Sequence, residues 1–171
     1  FPCFVKPNQS GSSFGISKVY SEKELKPAIE KALKEDNEIV IESFLNGREV
    51  NVGVFKLNGN VEVLPITEVI SDNDFFDYRA KYEGESEEIT PALLPTELES
   101  KVKQDALNLY KQLNLRGITR SEFIFKENIP YFLETNTIPG MTKQSIIPQQ
   151  FDAANKSLKK IILAMINEGL K

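Results

Sequence analysis

Two short segments set carboxylates beside amide and guanidinium groups at two-residue spacing: Arg120-Ser121-Glu122 and Glu134-Thr135-Asn136. Alternate side chains of a strand share a face, so Arg120 goes with Glu122, and Glu134 with Asn136. If Glu127-Asn128-Ile129 is a three-residue hairpin loop, pairing sets Glu122 opposite Glu134 and Arg120 opposite Asn136. Directly opposed side chains have Cβ atoms roughly 5 Å apart, and like charges there repel. A divalent cation reverses the sign. Two carboxylates and a carbonyl oxygen are hard ligands of the kind Mg²⁺ accepts, with substrate phosphates completing its octahedron. The same alternation also fits two solvated edge strands with the carboxylates apart, and a slip of one residue would separate the groups.

Three further segments carry groups suited to a phosphate or a nucleotide. Lys6 precedes Ser10-Gly11-Ser12-Ser13-Phe14-Gly15, a small, hydroxyl-rich loop whose successive N–H groups can turn toward phosphate oxygens. It is neither a P-loop nor a dinucleotide fingerprint, and a plain flexible hairpin loop fits it as well. Glu42-Ser43-Phe44-Leu45-Asn46-Gly47-Arg48-Glu49 reads on composition as a strand running into a turn. Lys81-Tyr82 lies in a long acidic stretch, where a solvated surface lysine is the default.

The bulk composition narrows the chemistry. The chain has 171 residues, 40% hydrophobic and 27% charged, enough for one sizeable core or two small lobes. Its 21 Lys and Arg against 25 Asp and Glu give a net charge of −4, which argues against a nucleic-acid or anionic-membrane surface. Cys3 is the single cysteine and histidine is absent, so internal disulfides, Cys-rich zinc sites and His-based catalysis are excluded. What remains is the work of carboxylates, Lys, Arg, hydroxyls, backbone amides and hard cations. The lone cysteine suits a reducing cytoplasm. No apolar run approaches the roughly 18 residues of a spanning helix. The sequence opens without Met, directly into Phe1-Pro2-Cys3-Phe4-Val5-Lys6, and is expected to be part of a longer protein.

The elements that must position these groups follow from periodicity. Phe4 to Lys6 and Gly15 to Tyr20 read as strands about the Ser-rich loop. Ser21-Glu22-Lys23-Glu24 matches a capping box and starts a helix with the stripe Leu25, Ile29, Ala32 and Leu33, in which Pro27 is an oddity. Glu38 to Phe44 is a strand. Glu49 to Leu57 and Val61 to Pro65 form a hairpin about Asn58-Gly59. Ser71 to Pro95 is long, acidic and aperiodic. Thr96-Glu97-Leu98-Glu99 is a second capping box, opening a helix with Leu98, Val102, Ala106, Leu109 and Leu113 on one stripe. Gly117 to Lys126 and Pro130 to Asn136 are strands, Pro139 to Thr142 a loop, and Ala153 to Gly169 a final amphipathic helix. Hairpins mixed with helices indicate an α+β fold, not a parallel doubly wound sheet.

Taken in order, five segments resemble the ATP-grasp ligases, and among them the D-alanine–D-alanine ligases. These are Phe4-Val5-Lys6-Pro7, Gly11 to Val19, Asp77-Tyr78-Arg79-Ala80-Lys81-Tyr82, Arg120-Ser121-Glu122-Phe123, and Leu133 to Thr142 with its Glu-Thr-Asn-Thr-Ile-Pro-Gly-Met-Thr run. They span nearly the whole chain, and the last is highly specific. The resemblance implies an ATP-grasp fold of mainly antiparallel sheets flanked by helices. Residues 1–46 would be the remainder of the central lobe and residues 47–171 the carboxy-terminal lobe. By the same resemblance, this sequence would leave out the family's amino-terminal domain, with the residues that hold the first D-alanine, and the opening strands and helix of the central domain.

The resemblance also implies roles. Lys6 would contact the α and β phosphates of ATP, and Ser12 and Ser13 would close over it. Glu42 and the backbone of Ser43, Phe44 and Leu45 would meet the adenine, Glu49 the ribose, and Lys81 the γ-phosphate. Glu122, Glu134 and Asn136 would hold two Mg²⁺ ions, for which Mn²⁺ can substitute. Arg120 and the N–H of Gly140 would stabilise the tetrahedral oxyanion, while Ser145 and the Ile146 backbone would hold the second D-alanine. Tyr82 and Ser12 would belong to the lid that links the loop to the substrate side. The Tyr82 pattern points to a peptide-forming enzyme, because the related depsipeptide ligases of vancomycin resistance depart from it. Minor departures from the family are Glu122, where many relatives have Asp, and Ile146, where Leu is frequent. The implied protein is a cytoplasmic homodimer that ligates two D-alanines through an acyl phosphate for peptidoglycan synthesis, the segment alone being inactive. The alternatives are another ATP-grasp carboxylate–amine ligase and a non-catalytic nucleotide-binding fragment.

Overall fold

The computed structural model describes residues 1–11, 13–71 and 86–170. They divide into two compact units, one of Phe1–Asn46 with Ser71 and Ser86, the other of Gly47–Ile70 with residues 87–170. Each is built on its own sheet.

In the first unit, β1 (Cys3–Pro7) is the middle strand of three, flanked by β2 (Ser17–Val19) and β3 (Ile39–Ser43), both antiparallel to it. Val5 and Val19 are buried against Ala28 and Ala32 of α1 (Glu22–Ala32), with Cys3, Leu25, Ile29 and Ile39 packed around them. Strand parity therefore sends Phe4 and Lys6 to the face away from the helix. The start of α1 differs from a capping box. Ser21 is the N-cap but donates its hydroxyl to Glu24 Oε1 (2.7 Å), while Glu24 Oε2 accepts from the N–H of Tyr20 (2.9 Å). Those two bonds, the backbone one first, hold the Glu24 carboxyl below its ordinary pKa. Pro27 is exposed, so the Lys23 carbonyl that its missing N–H would have met can turn to water.

The second unit is a six-stranded sheet in the order β7-β6-β4-β8-β9, with β5 also paired to β4. Its strands are β4 (Arg48–Leu57), β5 (Asn60–Val63), β6 (Thr67–Ser71), β7 (Ser86–Ile89), β8 (Ile118–Lys126) and β9 (Ile129–Asn136). β7 falls inside the stretch read from sequence as one long loop; residues 72–85 of that stretch lie outside the described residues. β4 turns into β5 through Asn58-Gly59, both at positive φ (49° and 81°), the two-residue turn that Asn-Gly favours.

β4 is buried from Val50 through Phe55 because both faces of the sheet are covered. Val50, Val52, Val54, Phe123 and Phe125 pack on Val102, Ala106 and Tyr110 of α2 (Thr96–Gln112). On the other face Phe55, Leu64 and Ile118 pack on Ile147 and Phe151 of α3 (Ile146–Ala153), with Leu158, Ile161, Ile162 and Met165 of α4 (Leu158–Gly169) around them. Pro95, not Thr96, is the N-cap of α2, and Glu99 is paired with Lys103 one turn on at 2.5 Å.

The helix expected from Ala153 to Gly169 starts only at Leu158, because Ala153 is the last residue of α3. Asn155 takes φ 53°, and the N–H groups of Asn155 and Lys156 return to the carbonyls of Asp152 and Phe151 (both 2.9 Å). This is a left-handed helix stop with Asn in the glycine position. Ser157 then caps α4, accepting from the N–H of Lys160. Pro148 sits in the first turn of α3, where no intrahelical N–H bond is lost.

α3 comes close to the sheet at Gly53. A Cβ there would fall 2.4 Å from Gln150 Oε1 and 2.8 Å from both Ile147 and Leu64. Overpacking of this kind costs about 1–3 kcal/mol. Gly53→Ala is therefore expected to lower the unfolding free energy by about 2 kcal/mol in chemical denaturation; an unchanged midpoint would show that α3 can give way.

Candidate functional site

The register of β8 and β9 decides where the charged groups stand. Glu127 and Asn128 form a two-residue turn, both at positive φ (52° and 64°), so the hairpin loop is one residue shorter than the sequence reading. Lys126 pairs with Ile129 and Phe123 with Phe132. Continued unbroken, that register would put Leu133 opposite Glu122. An irregularity between Glu122 and Phe123 instead inserts Leu133 as an extra residue, and beyond it Glu122 pairs with Glu134 and Arg120 with Asn136. The expected pairs are reached by a shorter turn and a bulge.

Across the β4–β8 ladder, Asn51 faces Glu122 and Gly53 faces Arg120, while Glu49 faces Ile124. One face of the sheet thus carries Glu49, Asn51, Arg120, Glu122, Glu134 and Asn136. It is the face that α3 covers farther along at Phe55 and Ile118. Glu122 is buried and Arg120 nearly so, and an Arg120 Nη2 donates to Glu122 Oε1. Asn136 Oδ1 accepts from the N–H of Ile138 (3.0 Å), which fixes the amide and leaves its second lone pair. Among the described residues no group of three or more His, Cys, Asp or Glu side chains converges. The donor set is two opposed carboxylates and one amide oxygen. It fits Mg²⁺, which keeps several waters and takes its remaining ligands from phosphates.

Asn51 was missed in the sequence reading. Its signal is the alternation in Glu49-Val50-Asn51-Val52-Gly53-Val54, which puts a polar residue on the face of Glu49 between valines of the core face. It is 1% exposed, and neither atom of its side-chain amide has a partner.

In the first unit, Lys6 Nζ stands 2.7 Å from Glu42 Oε2, joining two of the expected nucleotide residues on the face away from α1. Lys18 pairs with Phe4 on that face, and its ammonium lies 3.9 Å from the centre of the Phe44 ring. Phe44 donates its N–H to Pro2 O, which anchors the exit of β3; Ser43 is the last residue of that strand, and Leu45 follows. The loop after Lys6 is tied at its base, where Asn8 N–H meets Glu38 O (2.9 Å) and Gln9 N–H meets Asp36 Oδ2 (2.6 Å). Ser13 and Gly15 both have positive φ (60° and 75°), so the loop turns sharply twice. Ser12, Lys81 and Tyr82 lie outside the described residues.

The segment after β9 gathers the last group. A Cβ on Gly140 would come 2.7 Å from Ser145 Oγ, and Ser145 Oγ is 2.9 Å from Thr142 Oγ1. Ser145 is the N-cap of α3, yet its side chain makes no capping bond. The first N–H groups of α3, beginning with Ile146, therefore form a helix start of the type that receives carboxylates.

Comparison with known proteins gives a consistent answer. The family described as "D-ala D-ala ligase C-terminus" matches residues 1–167. The D-alanine–D-alanine ligase of Flavobacterium johnsoniae is 60% identical over 169 residues, covering 99% of this chain and 52% of that protein. The chain thus spans about half the length of the curated relatives it matches. Among solved structures, the VanG D-Ala:D-Ser ligase from Enterococcus faecalis superposes with a TM-score of 0.84 at 33% identity, over 98% of this chain and 49% of that one. The Bacillus anthracis D-alanine–D-alanine ligase complexed with ATP gives 0.79 at 33% identity, over 98% and 53%.

The buried Arg120–Glu122 pair makes a prediction of its own. Removing one partner of a buried pair leaves an uncompensated charge and costs about 3–5 kcal/mol. Arg120→Met is expected to lose that much unfolding free energy, and Arg120→Met with Glu122→Gln to recover most of it. Equal stability of single and double variants in chemical denaturation would remove the pair from the account.

Proposed function

Because the chain belongs to the D-alanine–D-alanine ligase carboxy-terminal family, we propose that it is the ATP-binding portion of a ligase joining two D-alanines. The observation that carries the reading is the opposition of Glu122 to Glu134, with Asn136 facing Arg120, on one face of the sheet. Such a pair is unfavourable by itself, and a divalent cation held by it would make it favourable. The ATP complex of the Bacillus anthracis relative supports the choice of nucleotide.

In this reading the carboxylate of one D-alanine attacks the γ-phosphorus of ATP, giving an acyl phosphate and ADP. The amine of the second D-alanine then attacks the acyl carbon, phosphate leaves, and D-alanyl-D-alanine remains. Glu122, Glu134 and Asn136 would hold Mg²⁺, which when bound would neutralise charge on the phosphates. Lys6 adds a point charge on the α and β phosphates, and Lys81 one on the γ-phosphate. Ser12 and Ser13 close over the nucleotide, and Tyr82 belongs to the same lid. Glu42 with the backbone of Ser43 to Leu45 meets the adenine, and Glu49 the ribose.

Arg120 and the Gly140 N–H meet the oxyanion that forms when the amine attacks. The N-terminus of α3 at Ser145 and Ile146 receives the carboxylate of the second D-alanine. This is catalysis by positioning and charge neutralisation, which suits a chain without histidine. Among the described residues no helix is long and apolar enough to cross a membrane, and a cytoplasmic enzyme of cell-wall synthesis fits the reading.

The test is Glu134→Gln in a full-length ligase carrying this sequence. It removes the charge facing Glu122 while keeping side-chain volume. D-alanine-dependent phosphate release is expected to fall at least about a hundredfold with the thermal midpoint unchanged. Normal turnover at ordinary Mg²⁺ concentration would overturn the cation assignment.

A further inference from the structure

The side-chain polar atoms buried without a partner among the described residues are Asn51 Nδ2, Asn51 Oδ1, Arg120 Nε and Gln150 Oε1. All belong to one neighbourhood. Asn51 faces Glu122, and Arg120 faces Gly53. Gln150, fully buried on α3, donates to the Asn51 carbonyl (2.9 Å) and to Thr67 Oγ1 (3.1 Å), and its Oε1 lies over Gly53. A polar row, Thr67–Asn51–Glu122–Glu134, crosses β6, β4, β8 and β9 on one face. Its first three members are each less than a tenth exposed.

An amide buried with neither donor nor acceptor used is a net loss to the fold. Glu122, the residue paired with Asn51 across the ladder, carries acceptors of the kind the Asn51 amide lacks. A carboxylate offers about four lone-pair directions, and Arg120 takes one of them. Asn51 stands opposite, with N–H groups to donate.

We propose that Asn51 is a further residue of the cation site, a positioning residue whose amide fixes the Glu122 carboxylate toward Glu134 when a divalent cation is bound. The proposal rests on the reading of Glu122 and Glu134 as cation ligands. Asn51 acts through Glu122, donating Nδ2–H to the carboxylate oxygen that does not meet the cation. That bond sets the plane of the carboxylate and raises the affinity of the pair, as hydrogen-bond partners of metal ligands generally do.

The test measures Mn²⁺ binding in the presence of ATP, from the electron paramagnetic resonance of free Mn²⁺, in a full-length ligase carrying this sequence. Asn51→Val and Asn51→Thr have the same shape and differ only in the hydroxyl. Loss of affinity by about tenfold is expected in Asn51→Val, with a thermal midpoint no lower than that of the unsubstituted protein. Asn51→Thr is expected to recover most of the affinity. Asn51→Ala, which removes the amide without adding a branched side chain, decides the matter if Asn51→Val does not fold. Affinity within about twofold of the unsubstituted protein in the amide-less variant, or equal affinities of Val and Thr, overturns the proposal. Glu134→Gln separates the two levels. If it abolishes Mn²⁺ binding while Asn51→Val does not weaken it, this inference alone fails. If it leaves Mn²⁺ binding intact, the cation reading fails with it.

Discussion

Two carboxylates opposed on neighbouring strands repel each other, and the backbone holds Glu122 and Glu134 in that arrangement through one inserted residue. Leu133 breaks the β8–β9 register between the turn and the site, moving Glu134 and Asn136 into line with Glu122 and Arg120. Without the insertion every side chain of the upper half of β9 would change face, because strand side chains alternate with period two. The Arg120 guanidinium compensates one of the charges. The carboxylate pair, the arginine and the amide of Asn136 share one face of the sheet only through that register.

The rest of the second unit serves the same face. Its hydrophobic cores lie on the two sides of β4, one under α2 and one under α3 and α4, and they leave a polar strip between Phe55 and the open end of the sheet. Gly53 lets Gln150 approach the strand closely enough to hold the Asn51 carbonyl. Among the described residues, the buried side-chain polar atoms without partners lie in this strip or, for Gln150, against it, and each such group costs about 1–3 kcal/mol. The valines on the other face of β4 are well packed against α2, so that cost falls on the polar strip alone.

Much of this was legible in the sequence. The alternation Arg120-x-Glu122 and Glu134-x-Asn136 was enough to put the groups on common faces, and Asn58-Gly59 marked its hairpin. The turn at Glu127-Asn128 was read one residue too long and the bulge was not foreseen. The two differences offset each other, so the pairing came out right by a different route. A bulge has no residue signature of its own here, since Leu133 looks like any strand residue. The helix over Ile146–Ala153 was hidden by Pro148, which reads as a breaker unless its place in the first turn is known. Asn155 looked like an exposed helical residue and is instead the left-handed stop that divides α3 from α4. Both capping boxes failed in detail, because a Ser or Thr three residues before Glu permits several bonding patterns. Asn51 was passed over because its neighbours make the strand read as core.

The central claim is that the opposed carboxylates hold the cation that accompanies ATP. Crystals of a full-length ligase carrying this sequence, grown with ATP and Mn²⁺, give the direct measurement in an anomalous difference map. The account predicts Mn²⁺ within bonding distance of Glu122, Glu134 and Asn136 Oδ1. Manganese bound to the nucleotide with these three side chains out of reach, and Glu122 still turned to Arg120, would contradict it.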